Sequence, residues 1–147
     1  MSLLVDTSVW SLALRRDTPA DVPEVRPLHD ALAGGDVVAT TGVVLQELLQ
    51  GVVHEQSRTQ IIDTFHALEY LVPTWEDHIA AAQLRTTLRS VGVQVGTIDA
   101  LIAQLAIAGH HTLLTTDKDF PLVARHVDLR LWHPPVGGSE TDSQSEP

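Results

Sequence analysis

Short apolar runs recur along the chain and predict buried strands. The first run, Leu3 to Val5, ends at Asp6, and Thr7 or Ser8 is placed to cap a helix that follows. Short, continuous apolar runs of this kind are typical of parallel strands, which are covered on both faces. Further strands are predicted at 37–39, 112–116 and 129–132.

Between these runs, apolar residues recur at helical spacing. Gly34–Gly35 ends one helix, and Thr74 with Asp77 forms a capping-box pattern for another that ends at Gly92. Further helical stripes lie at 44–52, 61–68 and 98–108. Because helices and strands alternate, the sequence predicts an α/β fold with a mostly parallel sheet.

The segment 117–126 predicts a short helix that Pro121 interrupts, with Thr116 and Asp119 as a capping box. From residue 134 onward the composition changes to Pro, Gly, Ser and acids, which is too polar for a core. We therefore expect one domain over 1–133 and a disordered acidic tail over 134–147.

Composition excludes several classes of function. The 147 residues are 44% hydrophobic and 19% charged, and no apolar run approaches the roughly 20 residues of a membrane span. The N-terminus does not resemble a signal peptide, so a cytoplasmic location and no membrane contact are expected. Since cysteine is absent, disulfides, thiolate zinc sites and cysteine nucleophiles are excluded.

The formal net charge of -10 at first argues against a nucleic-acid partner, because phosphate binding usually requires a basic face. Acids gathered around a bound cation would account for part of this excess. Net charge alone therefore does not identify the partner.

Four acids stand out by position. Asp6 and Asp117 follow predicted strands, where ligands of open α/β sheets gather. Asp99 lies in the first turn of a nearly all-apolar helix, so its carboxylate must be neutralised, hydrogen-bonded or bound to a cation. Glu47 lies beside a helical apolar stripe. Taken singly, each acid also fits a plain role as a helix cap, a helix-dipole partner or a solvated surface group.

Taken together, the segments around these acids resemble the motifs of PIN-domain nucleases and, within that family, of VapC-type toxins from bacterial type II toxin–antitoxin pairs. The matching segments are LVDTSVW at 4–10, LQEL at 45–48, TIDALIA at 97–103 and LTTDKDF at 114–120. Their order and spacing match the family, and the resemblance covers residues 1–133.

The resemblance implies a PIN-domain-like α/β fold, with a parallel sheet of four or five strands flanked by helices. It also implies that Asp6, Glu47 and Asp99 hold Mg²⁺ or Mn²⁺ and that Asp117 is the fourth acid of one pocket. Further members implied around that pocket are Asp119 and the hydroxyl residues Thr7, Ser8 and Thr116.

The implied activity is that of a magnesium-dependent endoribonuclease, which hydrolyses an RNA phosphodiester to a 5′-phosphate and a 3′-hydroxyl. Oxygen ligands suit Mg²⁺, and a bound cation activates water and stabilises the developing charge. The family further implies transfer RNA or ribosomal RNA as substrate, a homodimer, and a cognate antitoxin that crosses the acidic pocket.

Basic residues are few, and four of them are candidates for phosphate contacts: Arg15, Arg16, Arg85 and Arg89. The eight histidines lack a ligand spacing, so a histidine metal site is not expected. The three tryptophans are too scattered for base stacking and are expected to be core or interface anchors.

Two alternatives stay open. One is an interaction module whose acids hold an ion without catalysis. The other is an aspartate-based phosphatase or receiver-like domain, which also places aspartates at strand ends. A phosphatase of that kind would show Asp-x-Asp after the first strand, whereas here Thr7 and Ser8 follow Asp6.

Overall fold

The computed structural model describes residues 1–14 and 22–135. The predictions made for Arg15, Arg16 and tail residues 136–147 lie outside these ranges. The strands are β1 (Ser2–Val5), β2 (Val37–Thr41), β3 (Glu69–Leu71) and β4 (Thr112–Leu114). The helices are α1 (Thr7–Ala13), α2 (Val25–Gly34), α3 (Gly42–Gln50), α4 (Glu55–His66), α5 (Trp75–Ser90), α6 (Thr97–Gly109) and α7 (Asp119–Ala124).

The strands form one parallel sheet in the order β3-β2-β1-β4, flanked by these helices. The predicted α/β class with a four-stranded or five-stranded parallel sheet is therefore confirmed, with four strands. The expected strand at 129–132 is wrong, because only Leu131 forms a bridge there, opposite Leu113. The sequence pattern missed β3, an edge strand of three residues in which only Leu71 is even half-buried.

The strand order places a crevice beside β1. From β1 the chain adds β2 on one side and β4 on the other, so the order of strands reverses at β1. In open parallel sheets, ligands bind outside the carboxyl ends of the strands at such a reversal. Asp6 follows β1 directly, and Thr115 follows β4 directly. These two residues therefore lie at the carboxyl ends of neighbouring strands, where a binding site is expected.

The core lies between the sheet and the helices and is largely aliphatic. β1 is buried along Leu3–Val5, and α6 buries six of its thirteen residues. Trp10 of α1 is fully buried against Phe65 of α4, with ring centroids 4.8 Å apart, so this tryptophan is a core anchor as expected. Trp75, by contrast, is 78% exposed.

The far end of α6 is closed by a buried histidine. His111 is 8% exposed, and its Nδ1 lies 2.7 Å from the hydroxyl oxygen of Ser2 in β1. A Cβ atom at Gly109 would lie only 2.5 Å from Nε2 of His111. The imidazole therefore occupies space that only a glycine at position 109 leaves free.

Two predicted helix signals are confirmed. Thr74 and Asp77 form both hydrogen bonds of a capping box at the start of α5. Gly35 ends α2 in the left-handed conformation with φ of 83°. No helix within the described residues has the length and apolar character needed to cross a membrane.

Two other predicted helix signals are wrong. Asp6, not Thr7 or Ser8, is the N-cap residue of α1, and no side chain caps the helix. The box predicted for Thr116 and Asp119 does not form, because α7 begins later, after Lys118.

Pro121 also does not interrupt α7. It is the third residue of that helix, and the first-turn N–H groups have no acceptor within a helix, so proline is accommodated there.

Candidate active site

Asp6 is a buried carboxylate held by two hydroxyl groups. Its side chain is at the carboxyl end of β1 and only 6% of the residue is exposed. The hydroxyls of Ser8 and Thr115 both donate to Oδ2, at 2.9 Å and 2.8 Å. Because Oδ1 accepts no hydrogen bond from the described residues, one oxygen is held while the other is left for a ligand.

Glu47 is held in a similar way. It lies half-buried on the second turn of α3, and the Thr7 hydroxyl donates to its Oε1 at 2.8 Å. Thr7 is the first residue of α1, so this bond joins the helix after β1 to the helix after β2. The second oxygen of Glu47 has no hydrogen-bond donor among the described side chains.

Asp99 carries the clearest sign of a crowded acidic site. It lies in the first turn of α6, where burial raises the pKa of its carboxyl from 3.8 to about 6, assisted by the negative charges of nearby acids. After burial, the contributing charges are, in decreasing order, Asp6, Asp117, Glu47 and Asp119. Four acids from three separate segments of the chain therefore lie within electrostatic range of one carboxylate.

The loop after β4 completes this hydrogen-bonded group. The Thr115 hydroxyl, which donates to Asp6, also accepts from the backbone N–H of Asp117 at 3.0 Å. The backbone N–H of Thr116 donates to the Ser8 hydroxyl at 3.1 Å, and that of Asp119 donates to Asp117 at 2.9 Å. The path of this loop, and so the position of Asp117, is tied to the turn after β1.

Sequence reasoning missed Thr115 and selected Thr116. The hydroxyl that reaches Asp6 belongs to Thr115, whereas Thr116 joins the network through its backbone. The signal lay in the strand boundary, because β4 ends at Leu114 and the next residue faces the end of β1.

The acids do not stand ready as a ligand cage. Among residues 1–14 and 22–135, no three His, Cys, Asp or Glu side chains are arranged so that they would hold a metal ion as they stand. Clustered carboxylates repel one another without a counter-charge, which favours side chains turned toward hydroxyl donors. The structure thus brings Asp6, Glu47, Asp99, Asp117 and Asp119 into one electrostatic neighbourhood but does not close them around a point.

The candidate phosphate-binding arginines are distributed unevenly. Arg85 and Arg89 lie on α5 and line a cavity against the start of α6, whereas Arg15 and Arg16 fall outside the described residues. Arg85 is half-buried and its Nε donates to the carbonyl oxygen of Val95 at 2.6 Å. This arginine therefore also fixes the loop that leads into α6.

Comparison with known proteins identifies the family. Residues 3–126 match the family model described as the PIN domain. The chain is 31% identical over 130 residues to Ribonuclease VapC11 of Mycobacterium tuberculosis and to VapC ribonuclease Mb1587 of Mycobacterium bovis. In each case the match covers 87% of this chain and 96% of the relative.

The fold agrees with that match. VapBC2 from Rickettsia felis, solved bound to a DNA fragment from its promoter, superposes with a TM-score of 0.70 and 26% identity. That match covers 90% of this chain and 98% of the other. The resemblance in four sequence segments is therefore confirmed, and the chain belongs to the PIN-domain family, among the VapC-type ribonucleases.

Proposed function

We propose that this protein is an endoribonuclease that depends on Mg²⁺ or Mn²⁺, with Asp6, Glu47, Asp99 and Asp117 as its catalytic, metal-binding acids. The observation that carries the proposal is Asp99, whose raised pKa records four other acids around it at the reversal point of the sheet. An arrangement that makes a carboxylate costly to ionise is one that a divalent cation relieves.

The donor set fits a hard cation. All the groups are carboxylate oxygens, which are the ligands that Mg²⁺ prefers. Asp6 and Glu47 each have one oxygen held by a hydroxyl and one without a donor from the described residues. Bound there, the cation would lower the pKa of a water molecule and stabilise negative charge on the phosphate.

The chain's own residues supply position. Ser8 and Thr115 hold Asp6, and Thr7 holds Glu47, so these carboxylates are oriented before a substrate arrives. Asp99 is fixed by its place in the first turn of α6. Above about pH 6 Asp99 is mainly ionised, so we expect binding of the cation, and cleavage, to increase as the pH rises through this value.

Cleavage of RNA by the purified protein tests the proposal. We expect Asp6→Asn and Asp99→Asn to abolish cleavage of single-stranded RNA in Mn²⁺ or Mg²⁺ while the circular dichroism spectrum is unchanged. Asp63→Asn is the matched control, because Asp63 is exposed on α4 and is not among the charges that raise the pKa of Asp99. Full activity of Asp99→Asn, or equal cleavage in EDTA, would refute the assignment of these acids as catalytic metal ligands. Absence of cleavage by the wild type would favour a binding module without catalysis.

We further propose that the enzyme is the toxin of a toxin–antitoxin pair, acts in the cytoplasm and forms a homodimer. Supporting this, the relatives are named VapC ribonucleases, and the M. tuberculosis protein VapBC-5 is described as a member of the VapBC family of toxin–antitoxin systems. A formal net charge of -10 suits an antitoxin segment carrying Arg or Lys, which would pair with the site carboxylates.

The substrate is proposed to be transfer RNA or ribosomal RNA, cut in a single-stranded loop. M. tuberculosis VapC20, which shares the fold with a TM-score of 0.63 at 18% identity, is described as a toxin that cleaves the sarcin–ricin loop. Sequencing of RNA 5′ ends after controlled expression, beside the Asp99→Asn variant, identifies the cut. Light scattering of the protein with and without its cognate antitoxin tests the dimer and the complex.

A further inference from the structure

A cavity of about 380 Å³ lies between α5 and α6, a size within the range of ligand sites. Three small residues line it: Ala81 and Ala82 on α5 and Ala100 on α6. Val43 and Leu101 complete an apolar floor. We call this cavity the α5–α6 pocket.

The rim of the α5–α6 pocket is cationic and polar. His78, Arg85 and Arg89 line it from one face of α5, and Thr97 adds a hydroxyl from the start of α6. No Asp or Glu lines it, although the chain carries 19 acids against 9 Lys and Arg. Neither arginine forms an ion pair with an acid in residues 1–14 or 22–135. In so acidic a protein, this combination marks a surface complementary to an anion.

The pocket adjoins the acidic site through α3. Val43, which lines the pocket, is one turn before Glu47 on the same face of α3, a separation of about 6 Å. A chain of phosphates that passes Glu47 therefore has this pocket within about one nucleotide of its path.

We propose that the α5–α6 pocket binds one unpaired nucleotide of the RNA, next to the phosphate that is cut, with its base on the apolar floor and its phosphate at Arg89. This inference rests on the proposed ribonuclease function and deepens it. Unpaired bases that enter protein pockets stack on aromatic rings, on apolar side chains and on arginine planes, while backbone phosphates pair with arginine. Arg85, held by the Val95 carbonyl, presents a fixed guanidinium to the pocket.

An apolar segment of a protein partner is a weaker match to this pocket. Such a segment fits the floor, but it leaves the charges of Arg85 and Arg89 without counter-charge, which costs free energy when they are covered. A nucleotide satisfies the floor and the rim together.

The test uses three variants in steady-state cleavage of a single-stranded RNA. Arg89→Gln removes one charge from the rim, and Ala82→Leu fills the cavity at an exposed helical position where leucine is well tolerated. Arg58→Gln on α4 is the matched control, because it removes the same charge and only a 4.0 Å surface contact with Glu55. Arg85 is left intact since it also holds the loop before α6.

We expect Arg89→Gln and Ala82→Leu to raise KM by roughly 5-fold to 100-fold, the range for loss of one stacked base or phosphate contact, with kcat within about 2-fold of wild type. For Arg89→Gln, the slope of log(kcat/KM) against log salt should also fall by about 0.7, as for one lost contact to single-stranded nucleic acid. Among oligonucleotides that each lack one base near the cut, one should raise KM for wild type but not for Ala82→Leu.

Two results overturn the inference while leaving the ribonuclease proposal intact. In the first, the wild type cleaves RNA, and Arg89→Gln and Ala82→Leu both have the KM and the salt slope of the wild type. The other is weakened binding of the antitoxin by Ala82→Leu with RNA cleavage unaffected, which would assign the pocket to a protein segment. Absence of cleavage by the wild type with either cation overturns both proposals.

Discussion

Asp99→Asn is expected to make the cation-free protein more stable at neutral pH. Burial and neighbouring acids raise the pKa of Asp99 from 3.8 to about 6, so the folded state holds this proton more tightly than the unfolded state. Between these two pH values the native state binds more protons, and the free energy of unfolding falls as pH rises. The loss of stability from ionising Asp99 in the folded state is absent below about pH 4 and complete above about pH 7.

The size of the effect follows from the shift. About two pKa units correspond to an upper bound of about 3 kcal/mol, and solvent screening of a half-exposed carboxylate reduces this to roughly 1 to 2 kcal/mol. Loss of the charge from the first turn of α6 subtracts about 0.5 kcal/mol of helix-dipole stabilisation. The net gain for Asp99→Asn is then about 1 kcal/mol, or about 2 to 4 °C in Tm for a chain of this length.

Thermal unfolding in EDTA at pH 4 and pH 8 measures this gain, with Asp63→Asn as control. At pH 4 both variants should have the Tm of the wild type, and at pH 8 only Asp99→Asn should have a higher Tm than the wild type. Saturating Mn²⁺ should reverse the order, because a cation at about 100 times its Kd stabilises the wild type by about 3 kcal/mol. A Tm for Asp99→Asn at or below wild type at both pH values would refute the reasoning that the acids crowd Asp99.

Two further predictions concern residues around the site and the core. Thr115→Val removes the hydroxyl that donates to Asp6 and should weaken Mn²⁺ affinity about 10-fold to 100-fold in calorimetry, whereas Thr115→Ser should keep the affinity of the wild type. Equal affinity in all three proteins would show that this hydroxyl does not orient Asp6. Gly109→Ala should lower the free energy of unfolding, measured in urea, by about 1 to 3 kcal/mol because the new methyl group contacts the His111 ring. Gly34→Ala is the control and should not destabilise the protein, because the space around its Cβ is open. A Gly109→Ala protein as stable as the wild type would contradict this packing.

Much of the fold follows from the pattern of apolar residues, and the failures have a physical cause. The run at 112–116 shows where an apolar strand can form, but its pairing partner decides where it ends. Leu3 pairs with Thr112 and Val5 with Leu114, so β4 stops where β1 stops. Similarly, the segment at 129–132 finds only one residue of a neighbouring strand to pair with.

The candidate site was partly predictable for the same reason. Asp6 and Asp117 could be selected because acids that end apolar runs lie at the edge of a parallel sheet. Glu47 could not be separated by periodicity from a solvated helical acid, and only the resemblance of its segment selected it. Thr115 was missed because its role depends on register, since it follows the residue whose carbonyl accepts from the Asp6 N–H. Pairwise register of this kind is not visible in the hydrophobic pattern.

The place of β1 in the sheet also determines how late in synthesis the hydrogen bonds around Asp6 can all form. β1 is the first of the four strands to be made and is an inner strand of the sheet. The Thr115 hydroxyl, which holds Asp6 together with the Ser8 hydroxyl, lies 109 positions after Asp6 in the chain. At ribosomal rates of about 5 to 20 residues per second, that partner is added roughly 5 to 20 seconds after Asp6. A nascent chain therefore carries Asp6 long before the Thr115 hydroxyl can hold it, and the hydrogen-bonded group around this acid is completed only after β4 and the residue that follows it have been made.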